Sequence, residues 1–476
     1  MVQPPDTAAD RHLRLVALLV AGTFFMENLD ATVITTALPA MAASFGVAPA
    51  RLSIGISAYM LTLAVCIPLS GWMAERYGAR RVFAGAIVLF TGASLLCGLA
   101  GGLWSFTAAR VLQGVGGAMM VPVGRLLVLR RTPKRELVRA IAILTWPGLV
   151  APILGPPLGG LISSWLGWHW IFFLNLPLGL AALALALWLV RGEGEPTGAF
   201  DLVGFVWTAL ACGMSMTAVE LASRTPVDAP LVAALAGLGL AAGALALCHL
   251  RRAAQPLIDL SALRIPTFAA VIGGGSLFRI AIGSAPFLLP LLFQLAFGMS
   301  ATSSGLLMLA LFAGNLAMKP ATGWAMRRFG LRGVLVGNGL LVAAGFLACM
   351  AFGAGTPPAL IAAVLFATGL TRSMQFTALN TIGFADVPPA RMGGATTLFS
   401  MAQQINSGLG IACGALALKL AGLLRHHDGS HLDATDFRLA FAAMALLALL
   451  ALLDAARLPR DAGAAVNGRI AGESRG

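Results

Sequence analysis

Apolar runs of about twenty residues follow one another along this chain, parted only by short polar turns, and no other feature constrains its fold as strongly. About twenty residues of helix cross the hydrocarbon core of a bilayer, where each backbone N–H and C=O must be satisfied within its own segment. With a window of about nineteen residues, fourteen such runs are read, at 13–36, 52–73, 82–101, 104–127, 138–162, 169–190, 201–220, 230–250, 267–296, 303–326, 332–352, 357–383, 395–421 and 437–456. The predicted class is an all-α polytopic membrane protein. Only 11% of the residues are charged and 58% are hydrophobic, which leaves no room for an extramembrane catalytic domain.

The net charge of +13 would suggest nucleic acid in a soluble chain, but its placement argues otherwise. Fourteen spans put both termini on one side. The tails and loops of that side, here called the basic face, carry 22 Lys and Arg, among them Arg76, Arg80, Arg81, Arg130, Lys134 and Arg327. The opposite loops carry four: Arg51, Arg224, Arg425 and Arg438. By the positive-inside rule both termini are expected in the cytoplasm. The partner of this charge is the lipid bilayer, not nucleic acid. The six cysteines fall in apolar runs with no CxxC spacing, so neither a disulfide frame nor a metal site is expected. His426, His427 and His431 lie in a polar loop without a fixed ligand spacing and are read as solvated. The first apolar run is too long and too polar inside for a cleaved signal peptide, and it is kept as the first span.

The chain repeats itself. The segment from Gly71 through Val82 (GWMAERYGARRV) matches that from Gly323 through Val334 (GWAMRRFGLRGV), with Gly, Trp, Arg, Gly, Arg and Val in register. Both copies join the second and third spans of a six-span set. The expected organisation is a first bundle over 1–190, two inserted helices over 191–260, a second bundle over 261–460 and a disordered tail over 461–476. Repeats related by an axis along the membrane normal build one large transporter class, with the substrate between the halves.

Charges inside the apolar runs point to a site, because an ionisable group in hydrocarbon is costly unless it faces a partner or a wet cavity. Glu27 and Asp30 share one face of the first span and are candidates for carrying protons or holding a substrate. A second reading has Glu27 only capping an internal polar network. Arg279 and Arg372 lie near mid-membrane in spans 9 and 12, with Gln375 and Asn380 following Arg372. They are either structural, paired to carbonyls or Glu220, or an anion site. Arg110, Arg125, Arg279, Lys319, Arg372 and Lys419 stand against Glu27, Asp30 and Glu220, which admits an anionic substrate. HExxH and GxSxG motifs are absent, and an enzyme is not expected.

Five further segments carry a family resemblance. They are Asn28 through Val33 with Ala37-Leu38-Pro39, the Gly71–Arg81 loop, Arg110 through Ala118, Ala151 through Gly160, and Trp168 through Pro177. In that order, with this span count, the chain resembles the fourteen-helix drug:proton antiporters of the major facilitator superfamily. Glu75 stands where the family usually has Asp, Arg327 replaces that acid in the second copy, and Ala151 holds a position that is usually Gly. The resemblance implies two six-helix bundles plus two inserted helices. It implies Asp30 as proton carrier with Glu27 and Arg110 beside it, and a central cavity reached by Gln113, Arg279, Arg372, Gln375 and Asn380. It implies a gate of Gly71, Glu75, Arg76, Gly78, Arg80 and Arg81, and an antiporter motif of Gly155, Pro156, Gly159 and Gly160. The implied activity is proton-coupled export of amphipathic drugs or toxic organic compounds across a bacterial cytoplasmic membrane, by a monomer that needs no cofactor beyond the proton gradient. The alternative is export of an anionic metabolite or metal chelate such as citrate or iron-citrate.

Overall fold

The computed structural model describes residues 8–47, 49–190, 199–222, 228–425, 433–459 and 462–463. The segment 192–197 between the first bundle and the inserted pair, the histidines of the 426–431 loop and the terminal tails, apart from the buried Ala462 and Gly463, therefore lie outside the described residues. All regular structure among the described residues is helical.

The first set of helices opens with α1 (Ala8–Phe45), longer at both ends than the apolar run it contains. Next come α2 (Pro49–Cys66) and α3 (Leu69–Tyr77), one span bent by 59°. The bend falls at Pro68, which has no N–H to give the helix ladder. Gly78, at φ +87°, turns the chain into α4 (Ala79–Gly98), a conformation open to glycine at no steric cost. Then follow α5 (Leu103–Leu129), α6 (Leu137–Thr145), α7 (Pro147–Trp165), α8 (His169–Phe173) and α9 (Asn175–Leu189). α10 (Leu202–Ala222) and α11 (Ala229–Arg252) are the inserted pair.

The second set begins with α12 (Pro266–Ile272) and α13 (Gly274–Leu291), which runs on into a π turn at Leu292–Ala296. α14 (Ala301–Ala317) and α15 (Lys319–Phe329) form a span bent by 52°. The set closes with α16 (Leu331–Met350), α17 (Pro358–Ala385), α18 (Met392–Leu424) and α19 (Ala434–Arg457). Among the described residues eleven segments are long and apolar enough to cross a membrane, thirteen with each bent pair taken as one span. α6 and α7, interrupted at Trp146, occupy the remaining expected run at 138–162.

The repeat seen in the sequence recurs as matched contacts. Arg80 donates to the Leu187 carbonyl near the end of α9 at 2.7 Å, and Arg332 to the Ala456 carbonyl near the end of α19 at 2.7 Å. Trp72 meets Tyr77 edge-on at 5.9 Å, and Trp324 meets Phe329 at 6.0 Å. In each half, then, one arginine complements the negative end of the half's last helix.

α1, α2, α4, α5, α7 and α9 pack on one another, as do α13, α14, α16, α17, α18 and α19. The sets meet through α3 and α5 on α18, α6 on α15 and α17, and α7 on α14, while α10 lies against both α2 and α18. Lipid tails are as apolar as leucine, so close packing through small residues takes over the role of hydrophobic burial. Gly314 of α14 shows this: a Cβ there would stand 2.0 Å from the Phe366 carbonyl of α17. Trp104, Trp165 and Trp170 are exposed, as rings that anchor a helix at a membrane interface are. Trp168 is not; it is buried against Phe45 and Phe172, because its ring closes the outer end of the first set.

Candidate functional site

The polar side chains of the first set converge on Asp30. Arg110 NH1 donates to Asp30 Oδ2 at 2.7 Å, and Gln113 Nε2 and Asn175 Nδ2 donate to Oδ1 at 3.0 and 2.9 Å. Ser94 Oγ accepts from both amides at 2.7 and 3.2 Å. Four helices, α1, α4, α5 and α9, thus meet in one hydrogen-bonded knot. Asp30 and Arg110 are fully buried at the side chain. The carboxylate accepts from three donors, whereas the guanidinium is short of partners: its Nε and NH2 find no acceptor. A buried orphan donor costs about 1–3 kcal/mol. The Tyr59 ring, 4.4 Å beneath the guanidinium, offsets part of this as a desolvated cation–π contact worth about 2 kcal/mol.

Between the two sets lies a cavity of about 410 Å³. Its wall holds Glu27, Asn28 and Tyr59 from the first set, but Asp30 and Gln113 are absent from it, sealed behind Tyr59 in the knot. Gln375 is also turned away: its carbonyl accepts from Asn338 of α16 at 2.8 Å, because the i, i+3 step from Arg372 swings it past the cavity edge. Arg279, Arg372 and Asn380 do line the cavity, and Arg279 NH2 donates to Asn380 Oδ1 at 2.9 Å.

Four cations face this space: Arg125, Arg279, Lys319 and Arg372. Among the described residues none of them has a carboxylate in ion-pair contact. Their partners are neutral. Arg125 reaches across the halves to Ser400 Oγ (3.2 Å) and Gln403 Oε1 (3.1 Å) of α18. Arg125 and Arg279 sit 4.7 and 4.6 Å from the Phe399 ring centroid, and Arg372 lies 5.6 Å from that of Phe376. Arg372 donates weakly to the Ile282 carbonyl at 3.4 Å. Glu220, offered from sequence as a carboxylate for the arginines, instead accepts from Ser57 of α2 at 2.5 Å, outside the cavity wall. Glu27 is the one carboxylate on the wall among the described residues. It and the Tyr59 hydroxyl are close enough to interact, yet Glu27 Oε2 and Tyr59 Oη complete no well-formed hydrogen bond in this conformation.

The loop motif lies where the halves meet on the basic face. A Cβ on Gly71 would stand 2.7 Å from Thr397 Oγ1 of α18, and one on Gly393 would stand 2.7 Å from Glu75 Oε1. Glu75 thereby sits over the first turn of α18, where a helix favours negative charge. Gly78 makes the turn and Arg80 caps α9. Arg76 is engaged in contacts of its own, whereas Arg81 is exposed. Nearby, Lys134 donates to the carbonyls of Ala385 and Val387 at the end of α17.

Of the α7 motif, Gly155 lets α7 lie directly on α1: a Cβ there would fall 2.2 Å from Thr32 Oγ1, which itself donates to the Ala151 carbonyl at 3.3 Å. Gly159 is buried, Gly160 meets nothing within 4 Å, and the Pro156 side chain lies outside the described residues.

Sequence reasoning did not select Tyr59, Ser94 or Asn175, nor did it make Arg125 and Lys319 site residues. It also passed over Ser400, Gln403, Gln404 and Ser407. These four fall at i, i+3, i+4 and i+7 in an apolar span, a polar stripe that could have marked the cavity face of α18.

Two helical bundles about a central cavity, with charged groups at mid-membrane, define a multi-pass membrane transporter fold. The sequence profile of the Major Facilitator Superfamily matches residues 20–411 and 271–473, and the chain belongs to that superfamily. It is 37% identical over 459 residues to a protein described as multidrug resistance protein MdtD of Cronobacter sakazakii, covering 96% of this chain and 97% of that one. It is 38% identical over 451 residues to the protein so described from Klebsiella pneumoniae, covering 94% of each. The fold is similar to that of the human organic anion transporter MFSD10 (TM-score 0.65, 14% identity, 95% of this chain and 100% of that one). It is also similar to the proton:xylose symporter XylE (TM-score 0.64, 16% identity, 95% and 97%).

Proposed function

We propose that this chain is a proton-driven antiporter that exports small amphipathic organic compounds across the bacterial cytoplasmic membrane, and that it takes anions of that class. One observation carries the charge preference: among the described residues, four cations and a single carboxylate stand on the cavity wall. Two unit charges 4 Å apart at an effective dielectric of about 20 interact by about 4 kcal/mol, so an uncompensated cluster of this kind disfavours a lipophilic cation and favours a carboxylate, sulfonate or phosphate. Phe24, Phe376, Phe384 and Phe399 on the same wall suit an apolar body. The multidrug description of the relatives supports organic compounds as the class.

Glu27 is the group that exchanges a proton with the cavity. Asp30, one turn along α1 and held by Arg110, Gln113 and Asn175, is the second site, reached when the knot opens. Gln113 supports Asp30 and Gln375 supports α16, and neither contacts substrate in this conformation. The contacts of Gly71 and Glu75 with α18 close the basic face, which is the cytoplasmic one. The gradient supplies the energy without a cofactor, and the cavity is complete within one chain, so the working unit is a monomer. The second reading is a small multiply charged metabolite or its metal chelate, such as citrate or iron-citrate. The placement of Arg279 and Arg372 5.7 and 5.6 Å from the Phe376 ring centroid, two cations on one aromatic group, favours it.

Everted vesicles with an acidic interior and a fluorescent pH probe test this. Salicylate and citrate form one series and cationic dyes the other, beside Glu27→Gln and Asp30→Asn variants. Proton release on adding the anions, absent in Glu27→Gln, is the expected result. Release on the dyes alone would overturn the anion preference, and release undiminished in both variants would overturn the proton sites.

A further inference from the structure

Lys319, like Arg125, joins the two halves, and it does so at a helix break. Its ammonium donates to Thr145 Oγ1 at 2.8 Å and Thr377 Oγ1 at 3.0 Å. Thr145 belongs to the first set and Thr377, on α17, to the second, so this side chain adds a second link between the halves on the cavity wall, beside that of Arg125. Both hydroxyl hydrogens are already committed to helix carbonyls, Thr145 to Ile141 at 2.9 Å and Thr377 to Ser373 at 2.9 Å. The two threonines therefore offer Lys319 only lone pairs. An ammonium has three N–H bonds, and the third finds no acceptor among the described residues while the group stands on the cavity wall.

The position is as telling as the bonding. Lys319 is the first residue after the 52° break between α14 and α15, and Thr145 is the last residue before the interruption at Trp146 between α6 and α7. Breaks are where packed helices pivot when a transporter changes state. A cation held only by neutral hydroxyls, at the junction of two pivots, yields to a stronger acceptor. An ionised acceptor makes a shorter and roughly twice stronger hydrogen bond than a neutral one.

Resting on the anion reading above, we propose that Lys319, with Thr145 and Thr377, forms an anion subsite that doubles as a latch. Without ligand, Lys319 ties α6 to α15 and α17 through Thr145 and Thr377. An organic carboxylate entering the cavity takes the ammonium, the bond to Thr145 breaks, and α6–α7 is free to move against α14–α15. Binding and release of the halves are thereby linked, and Thr145 competes with the ligand for the same cation.

The competition gives opposite signs for two residues in direct contact. Binding of salicylate and of citrate to the full chain in lipid nanodiscs is measured by calorimetry, with folding checked by elution profile. Lys319→Gln is expected to weaken binding at least tenfold, and Lys319→Arg to hold it within about threefold. Thr145→Val, which cannot accept from Lys319, is expected to tighten it about threefold or more. Binding unchanged in Lys319→Gln but lost in Arg279→Gln would overturn the subsite and leave the anion reading standing. Thr145→Val binding as the wild type or more weakly would overturn the latch. Failure of the wild-type chain to bind either anion would overturn the anion reading and the subsite together.

Discussion

Asp30 and Arg110 face each other at 2.7 Å across α1 and α5, both side chains fully buried, and the cavity that separates the two halves does not reach either of them. The pair is part of the architecture of the first set as much as of any transport cycle. Removing one member of a buried pair leaves an uncompensated charge and costs about 3–5 kcal/mol. Arg110→Ala is therefore expected to lower the thermal unfolding temperature of the purified chain sharply. Asp30→Asn, which keeps the shape and two acceptor lone pairs, should lower it less. A double variant in which both are neutral is expected to recover part of the Arg110→Ala loss. Equal losses in all three would show that the knot is not held by this pair.

Gly155 sets how closely α7 lies on α1. A methyl group there meets Thr32 Oγ1 at 2.2 Å and Thr32 Cβ at 2.7 Å, so the helices must separate. Overpacking of this kind costs about 1–3 kcal/mol. Gly155→Ala is expected to reduce transport in vesicles strongly and to be partly rescued by Thr32→Ala. Gly160→Ala, with open space around it, should behave as the wild type.

Arg80 and Arg332 make the same bond in the two halves, each to a carbonyl at the end of the last helix of its set. A cation at an exposed helix C-terminus contributes about 0.3–1 kcal/mol. Alanine at either position is expected to lower stability by similar small amounts, additively, since the sites belong to separate halves. Arg81→Ala, at an exposed side chain, should leave stability unchanged in the same melting series.

Asp433 caps α19 on the face opposite the basic loops and lies outside the membrane spans. The hydrogen bond from Arg425 holds its carboxyl at about 2, burial opposes this, and the backbone amides of Thr435 and Asp436 add to the lowering. A folded-state value below the ordinary 3.8 means stability that is present above the unfolded value and lost as pH falls through about 2. The difference in melting temperature between the wild type and Asp433→Asn is thus expected to be constant from neutral pH to about pH 5 and to shrink from pH 4 downward. A difference that grows on acidification would contradict the capping role.

Much of this architecture is legible in the sequence. Apolar length fixes that the chain crosses a membrane as helices, because no other element satisfies its own backbone there. The matched Gly71–Val82 and Gly323–Val334 segments announce two related halves, and those halves make matching contacts at Arg80 and Arg332. The family resemblance already sets Arg110 beside Asp30, and a charge in hydrocarbon needs such a partner.

Tertiary packing alone decided which of these charges meets the cavity. Glu27 and Asp30 share a helical face in the sequence, yet Glu27 stands on the cavity wall while Asp30 is taken up by Arg110, Gln113 and Asn175 in a buried knot. Gln375 looks toward Arg372 by helical spacing and is instead taken up by Asn338 from a helix thirty-seven residues away along the chain. Arg125, Lys319 and the polar stripe of α18 became one site only when the two halves were placed face to face. Periodicity records which side of a helix is polar, a property local to the segment. Which neighbour covers that side, and so whether it sees protein or water, depends on contacts between residues hundreds of positions apart, and only the packed fold determines them.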